Sequence, residues 1–180
     1  MIQTIHLDRV LREAVTTPFG DLVTRPTGAA VRGHIQRTMS AARGGLTRLD
    51  FSAVRLIDFS CADEVVAKLL LAADPAVEHY VVLHGLNEDQ TEAIDYVLTR
   101  HRLAVAAVPQ AAVRPVVLGW ATADDRDVFD AVTATGGGDP AALARWLQWP
   151  QGRCHETLAA LAFRRLVRAS ATAYLPLVLP

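Results

Sequence analysis

The stretch from Leu49 to Leu70, LDFSAVRLIDFSCADEVVAKLL, constrains the fold of this 180-residue chain more than any other. An alternating apolar strand carries Asp50 and Ser52. A second short apolar run, Val54 with Leu56 and Ile57, leads into Asp58-Phe59-Ser60-Cys61, where an amphipathic helix begins at once. A strand that feeds a helix through so short a turn places a hydroxyl at the helix entrance. Ser60 is therefore expected to cap the unpaired N–H groups of the first turn, or to carry a phosphate in the favourable field of the helix N-terminus. The adjacent carboxylates Asp63 and Glu64 are expected to complement the helix macrodipole.

Alternation of strands and helices extends on both sides of this segment. Ile2–Leu7 and Asp21–Arg25 read as strands, with a short helical or turn segment to Thr16 between them. A helix opens at Thr27 and runs to about Ala42, where Gly44-Gly45 ends it. Tyr80–His84 reads as a fully buried strand, Glu88–Arg100 as a helix with Ile94, Val97 and Leu98 inward, and Leu103–Val108 as a closing strand. The predicted class is α/β, a mixed sheet covered by helices on at least one face. Prolines 109 and 115 then bracket an alanine-rich junction, which divides the chain into residues 1–110 and 111–180. This junction is the expected hinge.

The C-terminal part has a different rhythm. Val116-Val117-Leu118 reads as a short strand, and a helix from Asp124 to about Thr135 stops at Gly136-Gly137-Gly138. Asp139-Pro140 then supplies an N-cap and a first-turn proline for a second helix to about Trp149. A third helix places Cys154, Leu158, Leu161 and Ala162 on one side, with Arg153, Glu156, Ala160 and Phe163 outward and Thr157 and Arg164 flanking them. A hairpin of Arg165–Ala169 against Thr172–Val178 closes the chain, turning at Ser170.

The net charge of −1 conceals an imbalance, since residues from Pro140 onward hold five arginines against one glutamate. A basic end of this kind points to an anionic partner. The two cysteines are isolated, which excludes a disulfide framework, and the six histidines form no metal-spaced pair. With no glycine-rich phosphate loop and no Gly-x-Ser-x-Gly, neither an enzyme nor a cofactor is expected. An apolar N-terminal leader and a membrane-length apolar run are absent from the sequence, so a cytoplasmic protein without membrane contact is expected. Cys154 beside His155 does not form a nucleophile–base pair, because helix neighbours diverge by about 100°; Cys154 is expected to be buried. Cys61, if exposed at its helix start, is a candidate redox sensor.

Two resemblances sharpen the expectation. Asp50-Phe51-Ser52-Ala53-Val54, Ile57-Asp58-Phe59-Ser60 and Ala62-Asp63-Glu64 resemble the STAS-like domain family, over residues 20 to 110. That family is a divergent relative of the STAS domains of bacterial anti-sigma factor antagonists, in which a serine after Asp-Ser is phosphorylated. The resemblance implies Ser60 as the phospho-acceptor, with Asp50, Ser52, Asp58, Asp63 and Glu64 as the signature around it. Phe59 stands where the antagonists have a serine and Cys61 where they have a glycine. Residues 116 to 180 resemble a winged helix-turn-helix domain, through Leu143-Ala144, Leu147, Trp149-Pro150, Leu158, Leu161, Leu166-Val167 and Tyr174.

Together these imply a bacterial transcriptional regulator. Its STAS-like part would sense a regulatory protein or kinase, and its third helix would bind double-stranded DNA through Arg153, Thr157 and Arg164, with Arg168 on phosphate. Phe163 is an interface candidate, and a homodimer would be needed for tight binding. The alternative is a protein-binding adaptor without DNA contact. A third reading, an enzyme with its pocket around Asp58 and Asp63, has no supporting motif.

Overall fold

The computed structural model describes residues 2–15, 20–42 and 45–178. Thr16 and Gly44, at the expected ends of the first two helical segments, lie outside them. The chain order is β1 (Ile2–His6), α1 (Leu7–Ala14), β2 (Asp21–Leu22), α2 (Arg25–Ala41), β3 (Gly45–Asp50) and β4 (Leu56–Ile57). A continuous helix over 59–71, here α3, follows; it is α-helical at Phe59–Ala62 and Lys68–Leu71 and widens to a π turn over Asp63–Ala67. Then come β5 (His79–His84), α4 (Glu88–Arg100), β6 (Ala104–Val108) and β7 (Val116–Gly119). The chain continues through α5 (Ala123–Thr135), α6 (Pro140–Leu147), α7 (Gln151–Phe163), β8 (Val167–Ala169) and β9 (Tyr174–Pro176).

The class is mixed α/β. Five strands form one sheet in the order β1-β3-β5-β6-β7, parallel except for β7, which runs antiparallel to β6. Each parallel crossover steps in the same direction across the sheet. Because such crossovers are right-handed, all of their helices must fall on one face. The core follows this rule: Leu49, Leu83, Val105, Ala107 and Leu118 point from the sheet into a cluster with Val10, Leu11, Val31, Ile35, Val65, Ile94 and Leu98 from α1 to α4.

The alternate strand residues, Leu46, Tyr80, Val82, Ala106 and Val117, project from the other face, which no crossover helix covers. The C-terminal elements cover it. Val128, Phe129 and Val132 of α5, Leu143 of α6, Cys154, Leu158 and Leu161 of α7, and Val167 after it join those strand residues in a second core. The first two of these helices are well delimited. Thr122 and Asp125 form a reciprocal cap at the start of α5, Gly136 ends it in the left-handed region, and Asp139 caps α6 ahead of Pro140.

Two sequence expectations change here. Val116-Val117-Leu118, read as the opening strand of a separate C-terminal unit, belongs to Val116–Gly119, the fifth strand of the sheet, whose alternating Val117 and Leu118 serve both cores. The residue 110/111 division therefore falls inside the β6–β7 connection. That connection is also tied down rather than hinge-like: Gln110 donates its backbone N–H to Leu86 O and its side-chain amide to Gly85 O. Asp21–Arg25 also shortens, since Arg25 already belongs to α2, which carries proline in its first turn.

Removing a large side chain from the second core should weaken the whole molecule, since the sheet forms one wall of that core. Phe129→Ala is expected to lower unfolding free energy by about 3–5 kcal/mol, measured by urea titration of the far-ultraviolet circular dichroism. A loss under about 1 kcal/mol would contradict this packing.

Candidate functional site

The signature segment threads three neighbouring clusters. Parallel register sets His6 beside Asp50 and Asp50 beside His84 at the carboxyl ends of β1, β3 and β5. Asp50 Oδ2 lies 3.1 Å from His6 Nδ1, while His84 Nδ1 stands 3.6 Å from Oδ1, beyond hydrogen-bond reach. Ser52 donates both its N–H (3.0 Å) and its hydroxyl (2.6 Å) to Asp50 Oδ1. Burial raises the Asp50 pKa, but the Ser52 hydrogen bonds and the charge of His84 outweigh it, and the net shift is downward. Gly85, at φ +72°, lets Ser52 approach: a Cβ there would stand 2.0 Å from the Ser52 hydroxyl oxygen.

The entrance to α3 is organised by Asp58, not Ser60. Asp58 is the N-cap and accepts from Cys61 N (2.7 Å), Thr24 N (3.1 Å) and the Ser60 hydroxyl (2.8 Å). Ser60 sits two residues into the helix, so its hydroxyl serves the cap rather than being one. Burial raises the Asp58 pKa, and these donors more than reverse it. Cys61 is fully buried and donates its thiol to Thr24 O at 3.0 Å; burial, then the Asp58 charge, push its pKa up to about 12. This removes the redox-sensor option, which required exposure.

Phe59, between the cap and Ser60, is 56% exposed and packs edge-on against Tyr96, itself 51% exposed, with ring centres 5.2 Å apart.

Asp63 and Glu64 do more than face the helix field. Glu64 is only 3% exposed, and its carboxylate meets Arg25 (2.9 Å), Arg32 and Lys68. Asp63 meets Arg25 (2.8 Å) and His101 (2.7 Å). The pairs bind α3 to α2 on one side and to the end of α4 on the other. Gly28 permits the approach, since a Cβ there would lie 2.8 Å from Glu64 Cβ. For Glu64, burial raises the pKa, and hydrogen bonds from Lys68 and Arg25 with the charge of Arg32 bring the net shift down; Asp63 is likewise lowered.

On α7 the expected inward and outward sides are those observed: Cys154, Leu158 and Leu161 are fully buried, and Phe163 is 89% exposed. The arginines, however, are engaged within the chain. Arg153 donates to both oxygens of Asp124 (2.9 and 2.6 Å) and lies 3.9 Å over the Trp149 ring. Arg164 pairs with Asp125 at 3.0 Å and donates to Trp120 O. Arg168 lies 5.3 Å over the Tyr80 ring, and Thr157 donates its hydroxyl to Arg153 O at 2.9 Å. Thus Arg153, Thr157, Arg164 and Arg168 do not form one open cationic surface.

Sequence reading missed Arg25, Arg32, His101, His6 and His84. The first three lie more than thirty residues from Asp63 or Glu64, and nothing local marks them. His6 and His84 each end an apolar strand, a position that in a parallel sheet faces the side where ligands commonly bind. Among the described residues no group of three His, Cys, Asp or Glu is arranged to hold a metal ion. No helix there is long and apolar enough to cross a membrane. No protein-family model and no curated protein matches this chain.

Asp50, Asp58, Asp63 and Glu64 all have lowered pKa values when folded. Their stabilisation is therefore fully present above the unfolded carboxylate values near 4 and is lost as pH falls through the folded ones. Acid unfolding followed by circular dichroism should show stability dropping below about pH 4, with a shallower drop in Glu64→Gln. An equally steep drop in that variant would remove Glu64 from the account.

Proposed function

We propose that this chain is a bacterial cytoplasmic regulatory adaptor, in which a STAS-like sheet layer presents the Ser60 turn to a protein partner. The observation that carries this reading is the exposed Phe59–Tyr96 pair beside that turn. Paired aromatics in the open are the usual energetic centre of a protein interface. Leu56, also exposed, lies three residues before Phe59. The STAS-like assignment rests on the motif residues quoted above. The winged-helix assignment is supported by the order of α5, α6, α7 and the β8–β9 hairpin, with Gly138 bridging Tyr174 between the first helix and the last strand.

A kinase is a natural input. A phosphate on Ser60 would stand against the Asp58 carboxylate that its hydroxyl now serves, so like charges would oppose the cap and displace Phe59 from its present setting. Duplex binding through α7 is the weaker reading. The guanidinium groups of Arg153 and Arg164 face aspartates, and exposed Glu156 shares the outer side of the helix and would repel phosphate.

The test compares wild type with Phe59→Ala and Tyr96→Ala as immobilised bait in extract of the encoding organism, followed by affinity measurement with each purified retained protein. The expected result is a partner bound at least about 30-fold more weakly by each variant, the loss typical of an interface hot spot. Ser60→Asp should weaken the same partner. Equal binding by both aromatic variants would overturn the adaptor reading. So would enrichment of one duplex sequence from a random pool, bound by wild type and lost in Thr157→Ala.

A further inference from the structure

At the end of the α2–α3 pair opposite to the Gly28 contact, a cleft of about 510 Å³ opens between the two helices and the start of the sheet. Met39 of α2, Leu69 and Leu70 of α3, and Val77, Val81 and Val105 give it an apolar lining. Its volume falls within the range of about 300–1,000 Å³ typical of small-molecule sites, and apolar walls with a few polar groups are what such sites share. The polar groups here come partly from the far side of the chain: Arg164 and Arg165, which follow α7, also line the cleft.

Arg165 is bonded differently from Arg153 and Arg164. Its guanidinium donates to three neutral carbonyls, Asp74 O (2.9 Å), Pro75 O (3.3 Å) and His79 O (3.4 Å). Whereas Arg153 and Arg164 each face a carboxylate, Arg165 has no carboxylate partner within 4.0 Å among the described residues. The Asp74 carboxylate, also in the lining, accepts from Ala76 N at 2.8 Å. The backbone of Arg165 also holds φ +59° at the end of α7, a position that favours glycine. An arginine kept there at a conformational cost directs attention to its side chain. His79, also in the lining, is held to Thr47 Oγ1 at 2.7 Å; burial and then the charge of Arg165 lower its pKa. Of the charged groups in the lining, Arg164 is paired with Asp125, Asp74 is bonded to Ala76 N, and Arg165 is the cation with no carboxylate partner among the described residues.

We propose that this cleft binds a small amphipathic acid, its hydrocarbon body against Met39, Leu69, Leu70 and Val81 and its carboxylate on Arg165. The Nε–H and one Nη1–H of Arg165 remain for a carboxylate, and charge-assisted hydrogen bonds are about twice as strong as neutral ones. The carbonyls now served by Arg165 orient it and do not neutralise it. Because the cleft is lined by both α3 and the α7 terminus, its occupant touches both cores of the protein. This proposal does not depend on the adaptor reading.

Isothermal titration calorimetry with decanoate and with 1-decanol, each below its solubility limit, tests it on the full chain. Wild type should bind decanoate saturably at one site and 1-decanol at least about tenfold more weakly. Arg165→Gln should erase that preference by weakening decanoate alone. Ala73→Trp, at an exposed position of the lining, should weaken both ligands at least about tenfold by filling the cleft, with circular dichroism confirming that each variant is folded. Absence of saturable decanoate binding to wild type, equal affinity for acid and alcohol, or unchanged binding in Ala73→Trp would each overturn the proposal. Because Ala73 is exposed, this second variant decides the question even if Arg165→Gln does not fold.

Discussion

A parallel sheet whose crossovers all step the same way leaves one face bare, and the architecture of this protein answers to that fact. The handedness of the crossovers sends α1 to α4 to a single side. Leu46, Tyr80, Val82, Ala106 and Val117 are left pointing at what would be water. At roughly 25 cal/mol per Å² of apolar surface, a face of that kind cannot stay open without association. The three C-terminal helices and their hairpin are the cover. The apolar side of α7 is consequently committed to the sheet, and only its outer side meets solvent.

This commitment bears on electrostatics as well. Asp124 and Asp125, at the start of α5, stand beside the arginines of α7, so the basic excess seen in the C-terminal sequence is partly neutralised once the chain folds. An exposed ion pair such as Arg153–Asp124 contributes little stability, yet it determines which charges a polyanion meets. The Glu64 cluster is different in kind. A carboxylate 3% exposed and held by three cations fixes the positions of α2 and α3. The desolvation that such a cluster incurs is offset only while every partner is in place.

Much of this was legible in the sequence. The helix over Glu88–Arg100 shows its apolar stripe locally, and Asp139-Pro140 announces α6. The inner side of α7 follows from helical spacing, which is why Cys154, Leu158 and Leu161 were recoverable. The role of Val116–Gly119 was not, because pairing partners are chosen across the sheet and a proline-bracketed junction looks the same whether it joins domains or turns a hairpin. Asp58 was passed over for Ser60 because both residue types cap helices, and only the chain path that brings Thr24 to Asp58 separates them. The pairing of Arg153 with Asp124 was likewise hidden, since it joins residues 29 positions apart on different helices.

With a core shared between them, the C-terminal helices and the sheet should unfold as one cooperative structure. Trp120, Trp146 and Trp149 all lie beyond β7, so tryptophan fluorescence reports the cover, while far-ultraviolet circular dichroism reports the whole chain. Equilibrium urea unfolding should give one transition with the same midpoint and slope by both probes. A fluorescence transition at lower urea, with most of the dichroism surviving it, would mean that the sheet stands without its cover and would contradict the account.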